Sequence, residues 1–468
     1  MITGELRGAL PNPKDLMTNR NTPSWVGHAV WWQVYPLGFV GAEPESGKLG
    51  SDTDPVRHRL GALHAWLDYA VELGASGLAL GPVFAAETHG YDTLDYFRID
   101  PRLGDDADFD ALITAAHQRG LKVLLDGVFN HVGRGFPGFA QVLEQGPDAP
   151  QASWFQLTWP DGPWRPGVEP EYVSFEGHQQ LVALNHDEPQ VAAHVEAVLK
   201  HWLERGADGW RLDAAYAVPT SFWGRVLPSV RAAFPEAYLV GEVLHGDYAG
   251  YVRESGLDSV TQYELWKAIW SSLNDGNFFE LAWALERHNE LLDTFVPLTF
   301  VGNHDVTRLA SRLDRPENLA HALLILLTVA GTPSVYYGDE QGFRGVKEER
   351  AGGDDAIRPA FPDRPDQLAA FGWPVYRLHQ DLIGLRRRHP WLHSARTRPL
   401  ELKNRQLSYE TIGDDGRLLV ALNLGDEPAE LPVGGGRTIL IGEAVLLDPG
   451  QDGARVQLPA HGWAVLQP

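Results

Sequence analysis

The chain has 468 residues, and its 39 basic against 62 acidic side chains leave a formal charge of −23 at pH 7. That balance argues against nucleic acid as a partner, because phosphate-backbone binding relies on clustered Lys and Arg. With no cysteine at all, disulfides, thiolate catalysis and thiolate metal sites are excluded together, and a reducing compartment is favoured.

Met1 to Arg7 lacks the charged-then-apolar pattern of a secretory signal, and no apolar run reaches the ~20 residues of a membrane span. A cytoplasmic protein with no membrane partner is therefore expected, as a monomer or homodimer. Residues 1 to 28, rich in Pro, Asn and Gly, read as a surface lead-in. Ala29 to Pro36 is the first apolar strand, followed by a loop from Gly38 to Thr53 without a D-x-N-x-D-G calcium pattern. A helix is predicted from Arg57 to Leu73, stopped by Gly74, then a second strand over Gly77 to Pro82 and a turn carrying Gly90-Tyr91-Asp92. A further helix, Asp108 to Arg119, leads to an apolar run that ends in Asp126, Asn130 and His131.

Residues 132–184 are too numerous and too rich in Gly, Pro and Trp for a simple connection. The amphipathic stretch Gln190 to Arg205 leads into Gly209-Trp210-Arg211-Leu212-Asp213, whose strand spacing puts Arg211 and Asp213 on one face. Taken alone, such an R-x-D is more often a structural ion pair than a catalytic one. An Arg beside a carboxylate lowers its pKa, so Asp213 is expected to stay ionised, as a nucleophile must. After a helix from Pro219 to Phe234, a strand delivers Glu242. A weaker strand near Ser259 to Tyr263, helices from Trp266 to Leu292, and a strand ending in Asn303-His304-Asp305 follow. A helix from Glu317 to Ala330, a strand segment at Gly331 to Glu340, a loop carrying Arg358 and a helix from Val375 to Arg388 complete this part. From about Ser394 the texture turns to short alternating runs between Gly, Asp and Pro, an antiparallel β-sandwich pattern.

Four apolar runs thus end in acidic, His or Asn residues. Continuous apolar strands suit a parallel sheet buried on both faces, and polar residues at the C-terminal ends of such strands read as catalytic in a (β/α)8 barrel. No H-x-H or H-E-x-x-H pattern is present, so a metal-dependent barrel hydrolase is not expected.

The four segments, in this order, resemble the signature regions of the α-amylase superfamily, glycoside hydrolase family 13, and the similarity runs from about Trp31 to the chain end. The resemblance implies an α/β fold: a (β/α)8 barrel at 1–131 and 185–393, a small domain inserted at 132–184, and a C-terminal antiparallel β-sandwich at 394–468. It also implies retaining hydrolysis, with Asp213 as nucleophile, Glu242 as acid and base, and Asp305, beside His304, gripping the sugar whose bond is cut. Tyr91 would stack on that sugar and His131 would touch it; Asp126 would be structural. In many members the equivalent of Asn130 binds calcium, but Tyr216 and Ala217 stand here where a Lys-His pair supports that site, so no cofactor is expected to be required. Asp92 and Arg358 occupy the places where exo-acting relatives pair to close the cleft, which favours stepwise α-glucosidase action on short α-1,4-linked oligosaccharides. An endo-acting α-amylase or cyclomaltodextrinase, a transglycosylase or isomerase, and a non-catalytic binding relative are the alternatives; all three carboxylates being intact argues against the last.

Overall fold

Eight short strands form one parallel sheet in which every residue except Lys122 is buried. They are β1 (Trp31–Val34), β2 (Gly77–Leu80), β3 (Lys122–Val128), β4 (Gly209–Asp213), β5 (Tyr238–Gly241), β6 (Ser259–Val260), β7 (Leu298–Phe300) and β8 (Thr332–Tyr336). Their spatial order is 6-5-4-3-2-1-8-7, and a parallel bridge between Thr261 and Leu298 brings the two ends together. This is the (β/α)8 barrel that the apolar runs call for. The computed structural model describes residues 22–42, 55–350, 352–450 and 453–468. Most of the expected lead-in and most of the loop after the first strand lie outside them.

Close strand packing has a local requirement at Gly209, where a Cβ would stand 2.2 Å from the carbonyl oxygen of Tyr238 on the next strand. The helix Asp106–Gln118 opens with a capping box, Asp105 accepting from the amides of Ala107 and Asp108 while Asp108 accepts from that of Asp105. Val191, Val195, Val198, Leu199 and Trp202 form the buried stripe of Pro189–Glu204 at helical spacing. Two helices differ from expectation. The stretch predicted as one helix to Leu73 is a 3-10 helix over Arg59–Trp66 before an α-helix over Leu67–Leu73. Its buried residues Leu60, Leu63 and Trp66 recur every three positions, the period of the tighter helix. The region to Leu292 divides into Tyr263–Asp275 and Phe278–Leu291, with Gly276 at φ +58° taking the left-handed cap.

Between β3 and Pro189–Glu204 a small domain is inserted. His131–Gly133 pairs antiparallel with Leu181–Ala183, and Leu157–Thr158 with Glu171–Tyr172, over a core that includes Phe136, Phe139, Trp154 and Phe155. The C-terminal part has two antiparallel sheets. β9 (Arg396–Leu402), β10 (Gln406–Gly413), β11 (Gly416–Asn423), β13 (Thr438–Gly442) and β16 (Trp463–Gln467) form one in the order 9-10-11-16-13; β12 (Ala429–Pro432), β14 (Val445–Gly450) and β15 (Gly453–Leu458) form the other in the order 12-15-14. Leu419, Leu431, Val456 and Leu466 fill the space between the two sheets. Among the described residues no helix is long and apolar enough to cross a membrane.

Candidate active site

The strand register sets Arg211 of β4 directly beside Asp126 of β3, and their side chains meet. Nη1 of Arg211 donates to both carboxylate oxygens of Asp126 at 2.7 Å and to Oδ1 of Asp213 at 3.1 Å, while Nη2 lies 2.9 Å from Oε1 of Glu242. One buried guanidinium therefore serves three buried carboxyl groups, delivered by β3, β4 and the residue after β5. Glu242 is held further by the Ala214 amide, which donates to Oε2 at 3.0 Å, and by the Tyr263 hydroxyl, which donates to Oε1 at 3.0 Å. Ala214 adopts φ +45°, a left-handed conformation rare for a residue with a Cβ. That backbone turn directly follows Asp213 and precedes the short 3-10 turn Ala215–Ala217.

Asp213 departs from the expectation that its Arg keeps it ionised. Burial pushes its carboxyl well above the usual range, Glu242 adds to this, and Arg211 opposes it. The reason is that the guanidinium is not a private partner of Asp213 but is divided among three acids. Asp126 is also raised by burial against the pull of Arg211.

A second group gathers at β7. Burial alone would raise Asp305, but His304, then Arg358 and Arg211, outweigh it and hold the carboxyl far below the usual range. Nε2 of His304 is 2.9 Å from Oδ2 of Asp305 and also meets the Tyr91 hydroxyl, while Gln33 Nε2 donates to Nδ1 at 3.2 Å. The Tyr91 hydroxyl donates to Asp126 at 3.1 Å, and its ring lies parallel to that of His304 with centroids 5.2 Å apart. His131 is tied at both nitrogens, Nε2 to the Tyr91 carbonyl at 3.0 Å and Nδ1 to the Asn130 amide at 3.2 Å, and burial lowers its pKa to about 4. A neutral ring with its proton on Nε2 satisfies both bonds.

The expected pair of Asp92 and Arg358 does not form. Asp92 closes its own turn, accepting from the amide and hydroxyl of Thr88, and Arg358 instead reaches Asp354 at 2.9 Å and Asp305 at 3.2 Å, and donates to the His304 carbonyl at 3.0 Å. Thr88 lies only four residues from Asp92 and offers two donors, and Arg358 finds one carboxylate four residues back in its own loop and another on the loop after β7. Asp92 is accordingly not among the residues lining the cavity, whereas Tyr91, His131, Asp213, Glu242, Asp305 and Arg358 all are. The cavity has a volume of about 460 Å³. Among the described residues the one cluster with metal-ligand spacing, His58, Asp105 and Asp108, lies at the helix cap described above, away from Asn130.

Sequence reasoning missed Tyr263, Asn303 and Asp354. Asn303 donates to the Tyr263 hydroxyl at 2.8 Å and accepts from the Asp305 amide at 2.9 Å, so one chain of bonds joins the loops after β6 and β7 to Glu242. Tyr263 follows the end of β6 as the other site residues follow their strands, and the rule applied to four strands would have found it on a fifth. Tyr263→Phe is expected to lower kcat about fivefold, the value of one buried hydrogen bond, with little change in KM or melting temperature. An unchanged kcat would show that the hydroxyl does not position Glu242.

A family model described as alpha amylase, catalytic domain, matches residues 33–367, and a domain of unknown function, DUF3459, matches residues 403–466. The chain is 30% identical over 433 residues to a cyclomaltodextrinase of Geobacillus thermopakistaniensis (strain MAS1), the match covering 88% of this chain and 71% of that protein. It is also 30% identical over 433 residues to a maltogenic alpha-amylase of Bacillus acidopullulyticus, covering 88% and 72%. Among solved structures, the acarbose-soaked debranching enzyme of Nostoc punctiforme superposes with a TM-score of 0.80 at 28% identity, over 96% of this chain and all of that one. With the catalytic-domain model spanning well over half of its length and a barrel whose strand ends carry a cluster of carboxyl groups, this chain belongs to the α-amylase family and is a glycoside hydrolase.

Proposed function

We propose that the enzyme hydrolyses α-1,4-glucosidic bonds in cyclomaltodextrins and short malto-oligosaccharides with retention of configuration. Asp213 attacks the anomeric carbon to form a glycosyl ester while Glu242 protonates the departing oxygen; Glu242 then takes a proton from water as that water cleaves the ester. The observation carrying this reading is the single guanidinium of Arg211 bonded to both Asp213 and Glu242, the two carboxyl groups that line the cavity. The Ala214 amide and the Tyr263 hydroxyl hold the Glu242 carboxyl beside Asp213, where leaving-group protonation needs it. Asp305, kept ionised by His304 and Arg358, is placed to accept from the hydroxyls of the sugar under attack.

Stepwise removal of glucose, favoured from sequence, rested on an Asp92–Arg358 pair that is replaced by other contacts. The curated relatives act, by their names, as a cyclomaltodextrinase and a maltogenic amylase, and the loss of the Asp92–Arg358 pair suits that alternative. Incubation with β-cyclodextrin, maltotriose and maltoheptaose, with and without EDTA, tests the reading. Ring opening followed by accumulation of maltose and glucose is expected, with rates indifferent to the chelator because the chemistry needs only the two carboxyl groups. Glucose released one unit at a time from linear chains, with the ring untouched, would replace this reading by an exo-acting α-glucosidase. Activity lost to EDTA and restored by calcium would put a structural ion near Asn130.

A further inference from the structure

The inserted domain carries a tip, the 3-10 turn Phe175–Gly177, whose Phe175 and Glu176 line the cavity and touch the barrel side of it. At its apex Glu176 takes φ +51°, a conformation that a side chain disfavours, and its Oε1 accepts a 2.8 Å hydrogen bond from the Tyr216 hydroxyl. Tyr216 belongs to the turn that directly follows Asp213, and its amide donates to the Glu242 carbonyl at 3.1 Å. Beside it Phe175 stacks on His131, with centroids 4.5 Å apart and planes 16° from parallel. The tip is thus fastened at two points, one to the buried ring of His131 and one to an exposed carboxylate–phenol contact.

The position of the second contact matters. Tyr91, His304, Asp305 and Arg358 gather on one side of Asp213, where they can grip the sugar being attacked. Tyr216, Glu176, Leu181 and Leu244 line the cavity wall made by the residues after Asp213 and Glu242 and by the inserted domain, the side left for the departing sugar. We propose that the Glu176–Tyr216 hydrogen bond is a latch that sets the width of the cleft on the leaving-group side and so determines specificity: closed, it admits linear chains, and cyclic substrates require it to open. This rests on the α-glucan hydrolysis proposed above. A single solvent-exposed bond held by a strained residue is weak enough to break on each encounter and strong enough to bias selection between substrates.

The test compares kcat/KM for β-cyclodextrin and for maltotriose in the wild-type enzyme, Tyr216→Phe, Glu176→Ala, Glu176→Gln and the double variant Tyr216→Phe/Glu176→Ala. Losing the latch is expected to raise the cyclodextrin-to-maltotriose ratio about fivefold in Tyr216→Phe and in Glu176→Ala, the size of one exposed hydrogen bond. The double variant should show no further rise, because either change removes the same bond, and Glu176→Gln, which keeps an acceptor, should retain the wild-type ratio. Ratios within twofold of wild type in both single variants, or an additive rise in the double variant, would overturn the latch while leaving the hydrolase reading intact. A well-folded wild-type enzyme that cleaves neither substrate would overturn the hydrolase reading, and the latch with it.

Discussion

Asp213→Asn is expected to abolish turnover, with kcat lower by about 10⁴-fold or more, while the protein melts at or above the wild-type temperature. The first half follows from chemistry: an amide cannot open the covalent route, and what remains is positioning of the sugar by Asp305 and its neighbours. The second half follows from the cluster. Asp213 is buried beside Glu242 and Asp126 with one guanidinium among the three, and its carboxyl is pushed up because ionising it there is costly. A neutral amide of the same shape removes that cost, so activity and stability should move in opposite directions, as they do where an active site stores unfavourable charge. Thermal melting and initial rates on maltotriose read both. Trapping the intermediate with a slow fluorosugar substrate and locating it by peptide mass spectrometry gives the decisive check: an adduct on any carboxylate other than Asp213 would reassign the nucleophile.

Arg211→Met is expected to leave no measurable activity and to cost about 3–5 kcal/mol of stability, the penalty for leaving buried charges without their partner. Three acids converge on this guanidinium, and no other described Lys, Arg or His side chain forms an ion pair with Asp126, Asp213 or Glu242. The loss should be largest at neutral and alkaline pH. Below the raised carboxyl pKa values of Asp213 and Asp126 these groups carry protons and have less need of a cation, so the difference between variant and wild type should narrow as the pH falls. Arg211→Lys retains the charge but has no planar fork to reach Asp126, Asp213 and Glu242 together, and it should recover part of the stability and little of the rate. A melting temperature for Arg211→Met equal to wild type at pH 8 would show that the carboxyl groups relax apart or share protons without it.

The barrel was legible because its strands are buried on both faces, which imposes continuous apolar runs, and because the polar residues that end them cannot be explained by packing. β3, β4, β5 and β7 announced themselves in this way through Asp126, Asp213, Glu242 and Asp305. β6 was read only as a weaker strand, since two residues of strand carry almost no periodicity, and the part played by Tyr263 just beyond it was missed. Local periodicity also could not separate a 3-10 helix from an α-helix at Arg59–Trp66, where three-residue and four-residue spacing look alike over two turns.

Within the chain itself lay the order of elements, the family resemblance, and the identity of the carboxyl groups that meet at the barrel mouth, because each depends on residues close together in sequence. Which partner each charge takes was decided only by the fold. Arg211 bridges Asp126 to Glu242, 116 positions apart along the chain. Arg358 turns to Asp305 and Asp354 instead of Asp92, and Glu176 of the inserted domain meets Tyr216 beside the nucleophile. These contacts leave no periodic trace, since electrostatic and hydrogen-bond partners are chosen by distance in space and by competition among neighbours, and both arise only when the strands are closed into a barrel and the inserted domain is laid across its mouth.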